Sequence, residues 1–237
     1  MIEFADVHKK YGRKKAIHSM SFALERGKIY GLVGPNGSGK STTLKLIAGL
    51  AYPSEGNVKV NGKKPDRKTA GTVAYLTELD TLYPTFTPKD LITFYDTQFS
   101  DFDQTRAYEL LSFMSLEKDT KIKHLSKGSR GRLKLVLALA RDAEYLLLDE
   151  PFSGLDPMVR ESIVKGLLTY IDFDKQTLLI ATHEIAEIEA LLDEVLVLQN
   201  GELIAHEEVE ALREEKGLSI IEWMKVIFQS SAERDEI

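Results

Sequence analysis

Nine consecutive residues, Gly34-Pro35-Asn36-Gly37-Ser38-Gly39-Lys40-Ser41-Thr42, carry the densest chemistry in the chain. Gly34 and Gly39 stand five apart, and the second is followed by a lysine and a hydroxyl side chain. Successive backbone N–H groups can curl around phosphate oxygens only where side chains do not intrude, and glycine supplies that room. Lys40 adds a positive charge for the outer phosphates, and Ser41 offers a hydroxyl to Mg2+. A helix opening here would point its positive end at the anion. In isolation the run could be a glycine-rich turn with a chance lysine. It follows an apolar segment, Lys28 to Val33, and precedes a helical pattern reaching Leu50, the context that a phosphate cradle needs.

Two acids close another apolar run: Tyr145 to Leu148 ends in Asp149-Glu150. A buried parallel strand delivers residues at its C-terminal edge into the crevice where open α/β sheets bind ligands. Asp149 can hold Mg2+ directly or through water, and Glu150 can polarise the water that attacks a γ-phosphate. Alone, such a run is usually a strand meeting solvent; the phosphate loop upstream decides for the catalytic reading. His183 ends the apolar run Leu178 to Thr182. A lone histidine at a strand end is more often a surface residue, and its place beside the carboxylate strand makes it a candidate γ-phosphate sensor.

Taken together these segments resemble the ATP-binding-cassette (ABC) ATPase family over nearly the whole chain. The resemblance rests on Tyr11-Gly12, Gly34 to Thr42, Leu148-Asp149-Glu150-Pro151, Ser153-Gly154-Leu155-Asp156 and Thr182-His183, in the family's order and spacing. It implies that Tyr11 stacks on adenine, a sequence-tolerant use of an aromatic ring. It implies that Ser153 to Asp156 links the two active sites of a dimer. Leu125-Ser126-Lys127-Gly128-Ser129 stands where the family carries Leu-Ser-Gly-Gly-Gln, a segment that reaches the γ-phosphate bound by the other chain. Ser126 and Gly128 keep the hydroxyl and the amide expected at that contact; Lys127 and Ser129 depart from the pattern. Arg130, Arg132 and Lys134 follow near a helix start, where cations oppose the dipole unless a polyanion faces them. Glu78 in Tyr75-Leu76-Thr77-Glu78 replaces the family's usual glutamine close to Mg2+. These substitutions, with the apolar spacing in Gly217 to Lys225, resemble bacterial cassettes of export-type, antibiotic-response systems.

The elements that must position these residues follow from periodicity. Ser21-Phe22-Ala23-Leu24 and Val58-Lys59-Val60 alternate as strands, and Asn61-Gly62 is a turn. Thr87-Pro88-Lys89-Asp90 opens a helix, a second runs from near Gln104 to Met114, and a third from Ser129 to Arg141. Strands at 145–148, 178–182 and 194–198 alternate with helices, one of them expected between Thr182 and Glu194; Asp193 to Ile204 resembles the family's final hairpin. The expected fold is α/β, a P-loop NTPase with a RecA-like core and an antiparallel β subdomain (1–77 and 145–237). A helical subdomain carrying the signature is inserted at 78–144.

Composition narrows the function. The 237 residues include no cysteine, which excludes a disulfide scaffold, a cysteine-bound zinc and a thiol nucleophile. The net charge of −6 argues against a nucleic-acid partner. No signal-like N-terminus and no apolar run of the roughly 20 residues that span a bilayer is present. The expectation is therefore a cytoplasmic ATPase subunit, with ATP and Mg2+ as cofactors, peripheral on the inner face of the cell membrane. Its partners would be an integral permease on a separate chain and a second cassette, homo- or heterodimeric. Two alternatives stay open: a soluble cassette such as one assisting iron–sulfur assembly, and a nucleotide switch that does not hydrolyse.

Overall fold

Short apolar runs buried on both faces are what a parallel sheet requires of its strands, and three of the runs picked out above meet that requirement. The computed structural model describes residues 1–79 and 81–235. In chain order these form β1 (Ile2–Tyr11), β2 (Lys14–Leu24), β3 (Ile29–Val33), α1 (Lys40–Ile47), β4 (Glu55–Val60) and β5 (Val73–Leu76). Then come α2 (Pro88–Gln98), α3 (Gln104–Phe113), α4 (Lys127–Leu139), β6 (Tyr145–Asp149), α5 (Pro157–Tyr170) and β7 (Thr177–Thr182). The chain closes with β8 (Glu194–Gln199), β9 (Glu202–Glu208), α6 (Val209–Glu215) and α7 (Ile220–Asp235).

Two sheets result. One is antiparallel in the order β2-β1-β4; the other runs β5-β6-β7-β3-β8-β9, parallel except for β9. Every residue of β3, β6 and β7 is buried. Alternate side chains of the large sheet serve two cores. Tyr30, Leu32, Leu147 and Leu179 face α1 and the antiparallel sheet, with Phe4 stacked on Phe22 there. Val33, Leu146, Leu148 and Ile180 share the other core with Leu91, Leu110, Val136 and Trp223 from four of the helices.

Local signals set several boundaries. Thr87 and Asp90 form a capping box at the start of α2, with Pro88 in the first turn. Asn61 and Gly62 both have positive φ, 53° and 72°, the pairing a tight hairpin turn demands. Between β7 and β8 the expected helix is absent, and two short 3₁₀ turns, Ile185–Glu187 and Glu189–Leu191, take its place. The apolar residues there, Ile185, Ile188 and Leu191, recur every third position. That is the 3₁₀ period, and it keeps Ile185 and Ile188 buried.

Candidate functional site

The loop between β3 and α1 can be built only with glycine at its tightest point. A β-carbon on Gly34 would lie 2.1 Å from the Leu198 carbonyl oxygen, and one on Gly39, at φ 109°, would meet the Ala16 carbonyl at 3.0 Å. The last hairpin braces this loop from outside. Gly201 N–H donates to the Ser38 carbonyl at 3.1 Å, and His18 N–H donates to the Gly201 carbonyl at 2.8 Å. Lys40 is buried at the start of α1, and its ammonium donates to the carbonyls of Gly34 (2.8 Å) and Pro35 (3.3 Å).

The acids at the end of β6 meet this loop across the sheet. Ser41 Oγ donates to Asp149 Oδ1 at 2.9 Å, and Tyr75 OH donates to Asp149 Oδ2, also at 2.9 Å. Burial first, and then the adjacent Asp149 carboxylate, push the Tyr75 phenol up, so it remains a donor. Glu150 leaves the strand in a left-handed conformation (φ 49°), with its N–H donating to the Ala181 carbonyl at 2.8 Å. Its side chain is 8% exposed and lies between two basic side chains: Oε1 is 3.5 Å from Lys40 Nζ and Oε2 is 2.9 Å from His183 Nδ1. An ionised carboxylate at that distance requires the His183 proton on Nδ1. His183 thus holds one oxygen of Glu150.

One cleft of about 410 Å³ gathers Tyr11, Lys14, Asn36, Gly37, Gly39 to Thr42, Glu78 and Glu150. Its donor set fits a nucleotide polyphosphate with a divalent cation: a glycine-lined loop, one buried ammonium and a hydroxyl already on a carboxylate. Glu150 Oε1 is buried without a hydrogen-bond partner, although it lies beside Lys40. An orphaned carboxylate oxygen at a cleft edge is a costly arrangement in a folded chain and fits a water-binding role. Exposed Tyr11, at the end of β1, lines the cleft.

The other expected site residues fall elsewhere in the chain. Ser126 caps α4, its Oγ accepting from Ser129 N–H at 3.1 Å. Lys127, Ser153, Leu155, Glu78 and Glu150 border a second cavity of about 200 Å³. Leu155 packs over Gly128 and Gly131, where β-carbons would stand 3.5 and 3.6 Å from its methyl. Gly154 lies against the Lys127 ammonium, and Asp156 caps α5 by accepting from Val159 N–H. The 153–156 loop and the signature helix therefore pack on each other within one chain.

Three features were not read from sequence. The Tyr75 contact to Asp149 was signalled only by a polar-tipped aromatic in an otherwise apolar strand. Lys14 borders the cleft without any motif to mark it. Nor does the sequence show that Arg130, Arg132 and Lys134 donate to carbonyls of this chain, at Leu125 (2.8 Å), Met114 (2.6 Å) and Thr77 (2.7 Å) respectively. The acceptor at Leu125 offsets the unfavourable placement of the Arg130 cation in the first turn of α4.

Comparison with known proteins adds four findings. The family model described as ABC transporter matches residues 17–153. The Nod factor export ATP-binding protein I of Burkholderia orbicola (strain AU 1054) is 38% identical over 230 residues, 93% of this chain and 75% of that one. Among solved structures, an ATP-binding subunit of an ABC transporter superposes with a TM-score of 0.82 at 26% identity, covering 97% of this chain and 98% of that one. A dimeric ATP-binding cassette in a post-hydrolysis state with ADP and Pi gives a TM-score of 0.78 at 25% identity, covering 88% and 99%.

Proposed function

The chain belongs to the ABC transporter family, and from that premise we propose that it is the ATPase subunit of an exporter whose membrane-spanning permease is a separate polypeptide. The observation that carries the catalytic part is that two adjacent carboxylates at the end of β6 each have two helpers. Asp149 is shared by Ser41 and Tyr75, and Glu150 stands between Lys40 and His183. When bound, Mg-ATP offers a γ-phosphate open to attack by water, with the metal offsetting the charge on the phosphate oxygens. Amides of Gly34 to Thr42 and the Lys40 ammonium hold the phosphates, with Lys40 leaving the carbonyls it now satisfies. Ser41 and Asp149 would hold the metal, Glu78 would add a second carboxylate as a ligand or as a partner of the metal's water, and Tyr75 keeps Asp149 oriented. Glu150 Oε1 accepts the proton of the attacking water while His183 fixes the other oxygen. Tyr11 stacks on the base.

The signature residues Ser126, Lys127 and Gly128 serve a site in a second cassette, with Ser153 to Asp156 joining the two. In support, none of these residues borders the chain's own nucleotide cleft among the described residues. Residues 78–144 move as a unit against 1–77 and 145–237 and pass the motion to the permease. An apolar groove lined by Leu50, Leu82, Tyr95 and Phe99 suits such a partner. No helix among the described residues is long and apolar enough to cross a membrane, so the span would come from the partner. The peripheral, inner-face location follows from that arrangement. Export is favoured over iron–sulfur assembly by the relatives' names.

Two variants test the catalytic reading. Lys40→Ala should weaken ATP binding at least about 100-fold, since a buried charge facing phosphate is lost. Glu150→Gln should keep ATP affinity and lower turnover by about 10² to 10⁴. Unchanged affinity in the first, or wild-type turnover in the second, measured by equilibrium titration and phosphate release, would refute the assignments.

A further inference from the structure

Lys134 stands where two cavities meet. The apolar groove lies on one side and the cavity containing Glu78 and Glu150 on the other, and Leu76 and Lys134 border both. Between them runs the loop leaving β5. Thr77 borders the groove, whereas Glu78 borders the inner cavity and the nucleotide cleft. The Lys134 ammonium donates to three successive carbonyls of this loop, Thr77 at 2.7 Å, Glu78 at 3.1 Å and Leu79 at 3.2 Å. Thr77 Oγ1 accepts from Leu79 N–H at 3.2 Å, so the loop is turned around the ammonium. These carbonyls have no ladder or helix to satisfy them, and Lys134 takes that place. A compact ammonium with three rotatable donors suits carbonyls fanned along a turn better than a planar guanidinium does.

The geometry of α4 extends the connection. Lys127, Arg130, Gly131 and Lys134 follow the i, i+3, i+4, i+7 stripe and all border the inner cavity. The helix face that begins at the signature ends at the clamp on the Glu78 loop.

We propose that Lys134 is a positioning residue for the ATPase, a strap that makes the Glu78 loop and the signature helix move as one body. It does not touch nucleotide. It sets where the Glu78 carboxylate stands in the cleft, and it ties that position to whatever fills the groove. The inference rests on the reading of Glu78 as a residue near the metal, and the test separates the two.

Full-length chain is compared with Lys134→Met, Lys134→Gln and Lys134→Arg. The first readout is hydrogen–deuterium exchange of the segment 77–79 without nucleotide; the second is ATPase activity against Mg2+ concentration at saturating ATP. Loss of the ammonium should speed exchange of that segment by about tenfold or more, with Arg restoring at least about half of the effect. The Met and Gln variants should also need about threefold more Mg2+ for half-activation and lose kcat, with KM for ATP within about twofold of wild type. If Lys134→Met does not fold, Lys134→Gln and Lys134→Arg carry the comparison. Exchange unchanged in the variants overturns the strap. Faster exchange with an unmoved Mg2+ profile and kcat reduces Lys134 to a structural residue and overturns its positioning role. Failure of the nucleotide reading would show separately, as ATP affinity indifferent to Lys40→Ala in the wild-type background.

Discussion

Asp149 illustrates how the site is held residue by residue. Both of its oxygens are engaged, one by a hydroxyl from α1 and the other by a phenol from β5. The side chain is only 2% exposed, so its orientation depends on those two donors. Removing the phenol with Tyr75→Phe leaves a buried carboxylate oxygen short of one partner, which costs about 1–3 kcal/mol if no water replaces it. The expected outcome is a lower unfolding midpoint in urea together with a fall in kcat, while ATP affinity holds. Full activity with a normal midpoint would show that Ser41 alone positions Asp149. Glu78→Gln removes a charge from the cleft, and on the proposed reading it should shift the Mg2+ concentration for half-maximal activity more than it shifts ATP affinity. Identical Mg2+ titrations for wild type and variant would place Glu78 outside the metal's surroundings.

At the scale of elements, boundaries that are written locally are legible and contacts that are not local are not. The start of α2 needs only Thr87, Pro88 and Asp90, which are adjacent in sequence. Thr87→Ala should therefore destabilise the chain by about 1 kcal/mol through loss of the cap, without changing nucleotide binding. A denaturation curve superposing on wild type would mean that α2 is held by packing alone. The glycine loop and the Asp149-Glu150 pair were equally visible, because each is a short run of fixed residue types. The segment 183–193 was misread because its apolar spacing of three falls near the helical period, and three-residue spacing selects the tighter turn. Tyr75 and Lys134 were invisible as partners, since the groups they bind lie 74 and 57 positions away. Only the register of β5 beside β6, and of α4 behind them, brings those groups together.

For the whole molecule, the strongest expectation is that each active site is shared between two chains. Lys40 and Ser126 belong to one polypeptide, yet Ser126 caps α4 away from the cleft that contains Lys40. Lys40→Ala removes one half of a site, and Ser126→Arg removes the other by adding bulk and charge. Each variant alone should be inactive. Mixed together they form heterodimers in which one site keeps both halves, and ATPase activity should return. Differential tagging establishes that heterodimers are present; background activity in their presence, or wild-type turnover by Ser126→Arg alone, would overturn the shared site. The order of strands carries one more consequence, which concerns synthesis. β3 delivers the phosphate loop from the middle of the sheet, yet its neighbours β7 and β8 are made about 150 residues later. At about 5–20 residues per second, a ribosome leaves that apolar strand unpaired for roughly 10–30 seconds. The brace from Gly201 to Ser38 comes later still. A nascent chain stalled before residue 190 carries every residue of the phosphate motif and no finished phosphate site, and it should pass through an ATP-affinity matrix that retains the completed chain.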